Sequence, residues 1–231
     1  MNDQLPEAIE LCFRQSAERF GRSLKVLNWP NGGKDAPPHE ANALINLWFY
    51  LGQMDQPFEL YAEGTINENC RVDMIGFNGD TAIAVEAKGF GDINKRSEKV
   101  LDDLNRLMEF RPSLSDLKGK VDAQAWWDNA KHRWAIILIA SFRGREVRDA
   151  WMSDDEAEII RIMNTYTTAS QRALDGDGNA RGYLTLLREV PVEYRRSWQI
   201  TPGDQWENTA EGWMLWAAVP IERSAVVASL A

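Results

Sequence analysis

Sulfur and imidazole are scarce in this 231-residue chain: it has two cysteines, Cys12 and Cys70, and two histidines, His39 and His132. Two thiols do not make a disulfide framework. Neither belongs to a CxxC pair, so a structural zinc site is not expected. Long apolar runs are also missing. Trp134 to Ala140, a run that no other exceeds, is far too short to span a bilayer. Met1 to Glu10 has acids but no basic n-region, which does not fit a signal peptide. The expectation is a soluble, cytoplasmic protein without a membrane partner. Neither GxGxxG nor GxxxxGK[ST] occurs, so the common phosphate-cradling loops are excluded. Repeats and low-complexity stretches are absent. Asp175-Gly176-Asp177-Gly178-Asn179 resembles the start of a calcium loop, but Ala180 replaces the glycine at loop position 6 and Leu186 cannot ligate at position 12. It reads as a turn.

Positive charge is in deficit overall. The net charge is -9 at pH 7, which argues against a polyanionic partner. The deficit is uneven, because residues 88–148 hold 13 Lys+Arg against 9 Asp+Glu. An acidic body with a basic middle is compatible with gripping a polyanion at one place, and equally with no such role. Ten tryptophans are many for this length. They suggest thick packing layers or subunit contact rather than base-stacking platforms.

The length suits a single domain, residues 1–231, with a core and additions. Apolar residues at helical spacing predict a helix over 5–20. A second helix is expected from about His39 to Gln53, with Leu44, Leu47, Trp48 and Leu51 on one side. Three short strands follow: Phe58 to Glu63, Arg71 to Phe77, and Thr81 to Lys88. Asn78-Gly79 between the last two is a strong hairpin signal, and Gly64 to Asn69 could form another turn. A third helix should cover Asn94 to Phe110, with Val100, Leu101, Leu104, Leu107 and Met108 on its apolar face. A polar connection then leads to Trp134–Ala140, a continuous apolar run that reads as a strand buried on both faces. A helix over 153–172, opened by Ser153-Asp154-Asp155-Glu156, and two late strands, Gly182 to Val190 and Gly212 to Pro220, complete the pattern.

Strand alternation selects the chemistry. Asp73 shares a face with Arg71, Ile75 and Phe77, and Glu86 and Lys88 share a face of the next strand. A tight turn at Asn78-Gly79 brings these three towards the same sheet end. Two carboxylates held close repel, and one pKa must rise. A divalent cation removes the conflict, and Mg²⁺ takes such oxygen ligands together with water and phosphate. It would polarise a phosphoryl oxygen and acidify a bound water, and a nearby lysine could orient that water and offset transition-state charge. Glu40 lies on the line of Leu44, Leu47 and Leu51, where an unpaired charge is costly. Glu63, ending the first strand, is another candidate for the same pocket.

Arg71-Val72-Asp73, followed by Glu86-Ala87-Lys88 across a hairpin, resembles the PD-(D/E)XK nuclease superfamily. The resemblance covers about residues 38–140, with Val72 where many members carry proline. It implies an α/β, restriction-endonuclease-like sandwich: a central mixed β-sheet flanked by helices, with an αβββαβ core, N- and C-terminal additions, and an extension over 141–231. It further implies phosphodiester hydrolysis with Mg²⁺ or Mn²⁺. Asp73, Glu86 and the Ala87 carbonyl would hold the metal, Lys88 would position the attacking water, and Glu40 would match a glutamate that some branches carry on the first core helix. Lys95 and Lys99 are the candidates for a nucleic-acid contact from the following helix. The expected partner is nucleic acid, DNA first, and a homodimer would supply the two sites that duplex cleavage needs. The expected activity is that of a metal-dependent deoxyribonuclease of restriction, repair or mobile-element defence type.

Plainer readings stand beside each of these. Glu86 and Lys88 could form a solvated strand end, and Asp73 could pair with Arg71 or Lys88. Glu40 would favour the dipole of a helix first turn. Lys95, Arg96 and Lys99 are typical of a solvated helix face. The alternative function is a catalytically inactive binding or assembly module on the same fold.

Overall fold

In the computed structural model the described residues are 4–26, 40–67, 70–88, 97–110, 123–141, 145–166, 186–200 and 212–221. Helix α1 (Glu7–Val26) starts after Pro6, whose carbonyl accepts from the backbone N–H groups of Ile9 and Glu10, and Glu7 and Glu10 sit in its first turn. Proline before the first helical turn and acids within it both suit a helix N-terminus. Ile9, Cys12, Phe13, Ser16, Ala17, Phe20 and Leu24 recur at three- and four-residue intervals, and all are buried. Burial pushes the Cys12 thiol up to about 11, so it packs as a small apolar group. Helix α2 (Glu40–Leu51) lies against α1. Ala43, Leu47 and Leu51 form its buried line, whereas Trp48, expected on the inner side, is partly exposed with Phe49 and Ile45.

The sheet has six strands in the order β1-β2-β3-β4-β6-β5. They are β1 (Glu59–Asn67), β2 (Cys70–Asn78), β3 (Thr81–Lys88), β4 (His132–Ser141), β5 (Arg195–Gln199) and β6 (Trp213–Pro220). Strands β1, β2 and β3 pair antiparallel in sequence order. Asn78 pairs with Thr81, so the two connecting residues are Gly79 and Asp80, and Gly79 takes the left-handed conformation at φ 49°. Asn78 of the Asn-Gly signal is therefore the last strand residue and not a turn residue. Strands β1 and β2 do form a second hairpin, with Asn67 opposite Cys70, but Gly64–Asn67 belongs to β1 and not to the expected loop, and residues 68 and 69 lie outside the described residues. Strand β4 runs parallel to β3, and β6 and β5 then pair antiparallel. A parallel neighbour requires a crossover. Helices α3 (Ser97–Met108) and α4 (Ala123–Asn129) lie along it.

The faces of the sheet carry different helices. Met74, Ile83, Val85, Ala87, Ile136, Leu138 and Trp216 pack with α1 and α2. Ile75, Phe77, Ala82, Ala84, Ile137, Ile139 and Leu215 pack with α3, α4, α5 (Arg145–Met152) and α6 (Glu156–Tyr166). The result is a three-layer α/β protein with a mixed central sheet. Every residue of β4 from Trp134 to Ala140 is buried, as expected for a strand covered on both sides. Residues beyond 141 are integral to this sheet, because β6 pairs with β4 along its length. Among the described residues no helix is long and apolar enough to cross a membrane.

Two expectations fail here. Residues 186–190 do not form part of the strand expected over Gly182–Val190, because 186–189 are helical; 182–185 lie outside the described residues. Leu186, Leu187 and Val190 are buried at helical spacing, and Pro191 closes the turn. The late strand is Arg195–Gln199 instead. The polar connection before Trp134 contains α4, whose Trp127 packs edge-on against Phe110 and Phe77. The helix expected from Ser153 begins at Glu156, with Asp155 as its cap: Asp155 Oδ1 accepts from the backbone N–H of Ala157 (2.9 Å) and Glu158 (3.3 Å).

Candidate metal and phosphate site

The pairing of β2 with β3 runs from Asn78 opposite Thr81 to Met74 opposite Val85. Beyond it Ala87 is reached by a side chain: Asp73 Oδ2 accepts from the Ala87 N–H at 2.8 Å. In a strand the N–H and C=O of one residue point to the same side. The Ala87 carbonyl therefore faces the same gap between β2 and β3 that Asp73 closes.

Glu86 and Lys88 project from the opposite pleat of β3, the face that carries Ala82 and Ala84 and meets α3. Both are buried, at 6% and 9% exposure. Lys88 Nζ lies 2.8 Å from Glu86 Oε1 and 2.6 Å from Asp103 Oδ2. Asp103, in α3, is 2% exposed and also pairs with Arg106, its Oδ1 lying 2.8 Å from NH1. Arg106 NH2 returns to Glu86 Oε1 at 3.2 Å. Four charges of alternating sign thus close a ring. Glu86 Oε2 stands outside it, buried and without a hydrogen-bond partner among the described residues.

The ring's electrostatics are uneven. Burial raises the Glu86 pKa above the ordinary carboxylate value; the Lys88 hydrogen bond opposes this, and the charges of Asp73 and Asp103 reinforce it. Burial pulls Lys88 down, but its hydrogen bonds to Asp103 and Glu86 outweigh burial and hold it above the ordinary lysine value. Glu86 rises because burial outweighs its contact with Lys88, and Lys88 rises because its ammonium is shared by two carboxylates. Lys88 is thus held as an ammonium, while burial works against the Glu86 anion.

This arrangement gives a pH prediction. Unfolded, Lys88 titrates near 10.5, and folded it titrates higher. The stability it contributes is complete below the unfolded value and is lost as pH rises through the folded one. Urea midpoints of the metal-free protein, measured at about pH 8 and about pH 11, should fall further in the wild type than in Lys88→Met. An equal fall would show that the ring does not hold Lys88 charged.

Of the residues selected from the sequence, Asp73, Glu86, Lys88 and Ala87 come together. Glu40 is the first residue of α2, and Glu63 lies in β1, but the side chains of both fall outside the described residues. Helix α2 packs on the sheet face opposite α3. Lys95 lies outside the described residues, as does the side chain of Lys99 in α3. Asp103 and Arg106 were not anticipated. A signal for Asp103 exists, since it lies three residues after Val100 and four before Leu107, both fully buried.

Among the described residues no group of three or more His, Cys, Asp or Glu side chains is placed to cage a metal by itself. The donor set suits a different kind of site. Mg²⁺ commonly takes one or two carboxylates and keeps its waters. Asp73, the Ala87 carbonyl and Glu86 Oε2, which has no hydrogen-bond partner among the described residues, are the oxygens that could take part in such a site. No protein-family model, curated protein or solved structure matches the chain.

Proposed function

We propose that this protein is a metal-dependent nuclease of PD-(D/E)XK type that hydrolyses phosphodiester bonds, DNA being its substrate. The observation that carries this reading is the buried Glu86 oxygen, without a partner among the described residues, beside Asp73 at the end of β2 and β3, with Lys88 as an ammonium alongside. The strand order β1-β2-β3-β4 with β3 and β4 parallel agrees with a restriction-endonuclease-like core.

Asp73, Glu86 and the Ala87 carbonyl would hold Mg²⁺ or Mn²⁺. A bound divalent cation supplies an acidified water and charge for a phosphoryl oxygen. Lys88, fixed by Asp103, would donate a hydrogen bond towards that water and offset negative charge as it develops. Burial of the ring by α3 limits bulk water around Lys88 and strengthens these interactions.

Supercoiled plasmid, linear duplex, single-stranded and branched DNA, and RNA, each with Mg²⁺ or Mn²⁺, form the direct test. The expected result is cleavage of DNA that chelation abolishes. No cleavage of any substrate with either metal would sink the enzymatic reading.

A second reading is a non-catalytic binding or assembly module. The closed ring favours it, because Lys88 and Arg106 already neutralise Glu86 Oε1 and Asp103. The net charge of -9 also favours a protein that leaves nucleic acid to a partner. Calorimetry separates the two, since a scaffold of this kind takes up no Mn²⁺ at Glu86.

A further inference from the structure

Arg106 occupies a telling position in the ring. Lys88 lies at its base, with a side chain 10% exposed, whereas the Arg106 side chain is 32% exposed and forms the mouth. One guanidinium nitrogen touches Glu86 and another touches Asp103. The two attachments differ in kind. Glu86 also belongs to the metal set, so its hold on Arg106 weakens when a second cation shares the carboxylate. Among the described residues Asp103 forms ion pairs with Lys88 and Arg106, and it sits on a helix anchored by Val100, Leu104 and Leu107. It can keep its hold while Glu86 lets go.

Charge counting indicates what Arg106 meets next. Counted as ionised, the five side chains Asp73, Glu86, Asp103, Lys88 and Arg106 carry one net negative charge between them. A divalent cation turns this into one positive charge. A monoanionic phosphodiester returns the site to neutrality, whereas a dianionic monoester overshoots it. The half-buried Arg106 guanidinium is the multidentate donor of the ring that lies nearer solvent than Lys88, with the geometry that suits phosphate oxygens.

We propose that Arg106, tethered by Asp103, is a substrate-binding residue that trades its ion pair with Glu86 for the phosphodiester when the divalent cation loads. The proposal rests on the metal reading above. Arg106 thereby opposes metal binding in the resting protein and favours diester binding in the loaded one.

The two opposite effects make the test specific. Mn²⁺ is titrated calorimetrically into wild type, Arg106→Gln, Arg106→Lys and Glu86→Gln. With protein in excess over Mn²⁺, ³¹P relaxation of dimethyl phosphate then reports diester binding beside the ion. Arg106→Gln should bind Mn²⁺ about tenfold more tightly, because a like charge has left the carboxylate. Its dimethyl phosphate relaxation should fall several-fold, and Arg106→Lys should lie between the two. A merely structural arginine would not move these readouts in opposite directions. If Mn²⁺ binds the wild type and needs Glu86, yet Arg106→Gln binds it no tighter or relaxes the diester equally, this inference falls and the metal reading stands. If the wild type takes up no Mn²⁺, both fall.

Discussion

Gly21→Ala destabilises this protein by about 4 kcal/mol or more, although the same change in an exposed helix would stabilise by about 1 kcal/mol. The sign reverses because of what stands next to Gly21. An added Cβ would lie 1.7 Å from the Ile200 carbonyl oxygen and 2.9 Å from its carbon. Those are backbone atoms, and Ile200 is itself 2% exposed and bonded through its N–H to the Gly212 carbonyl at 2.8 Å. Neither partner can turn aside, so α1 must lift from the chain end that follows β5. With total stability of about 5–15 kcal/mol for a typical domain, much of the margin disappears. Gly52→Ala is the control: its nearest contact is the Trp48 carbonyl at 3.4 Å, an ordinary approach. Urea unfolding followed by circular dichroism should place the Gly52 variant within about 1 kcal/mol of wild type. A Gly21 variant as stable as the Gly52 one would refute the close approach of α1 to Ile200.

Glu86→Gln carries the largest expected effect on function. The amide keeps the size and loses the charge. Mn²⁺ binding should disappear from the calorimetric trace, and DNA cleavage should drop by about a thousandfold, the several kcal/mol that a metal contributes to such a transition state. The fold should survive. Burial already disfavours the Glu86 anion, and Lys88 and Arg106 retain Asp103 when that charge is gone. Loss of activity without loss of stability is therefore the expected pairing. Cleavage within tenfold of wild type, or retained Mn²⁺ binding, would remove Glu86 from the centre of the mechanism.

The parts of this site that were legible in the sequence are those fixed by short-range rules. Period-two alternation and a tight turn place Asp73, Glu86 and Lys88 together, and both are local. Asp103 and Arg106 belong to a helix that reaches the strand only through tertiary packing. Asp103 is adjacent to exposed Asp102, so the pair reads as a solvated acidic stretch unless the position of Asp103 between Val100 and Leu107 is counted. Helix α4 was hidden because seven residues carry too few turns for a clear period. Leu186 to Val190 read as a strand because a short apolar run does not distinguish strand from buried helix. The contribution of β6 and β5 was unreadable for another reason: sheet pairing across some 80 residues leaves no local trace.

The two-residue connection at Gly79 and Asp80 has a consequence for how this protein can change over time. One extra residue there could slide β2 by one position against β3, and a slide of one exchanges the faces of a strand. Asp73 would then turn towards α1 and α2, while Glu86 and Lys88 stayed with α3. The carboxylates would survive unaltered in the gene and be separated by the sheet itself. Substitutions at Asp80 leave this spacing intact, whereas insertions or deletions at the turn do not. The length of a solvent-facing loop is thus inherited together with the charged cluster at the far end of its strands.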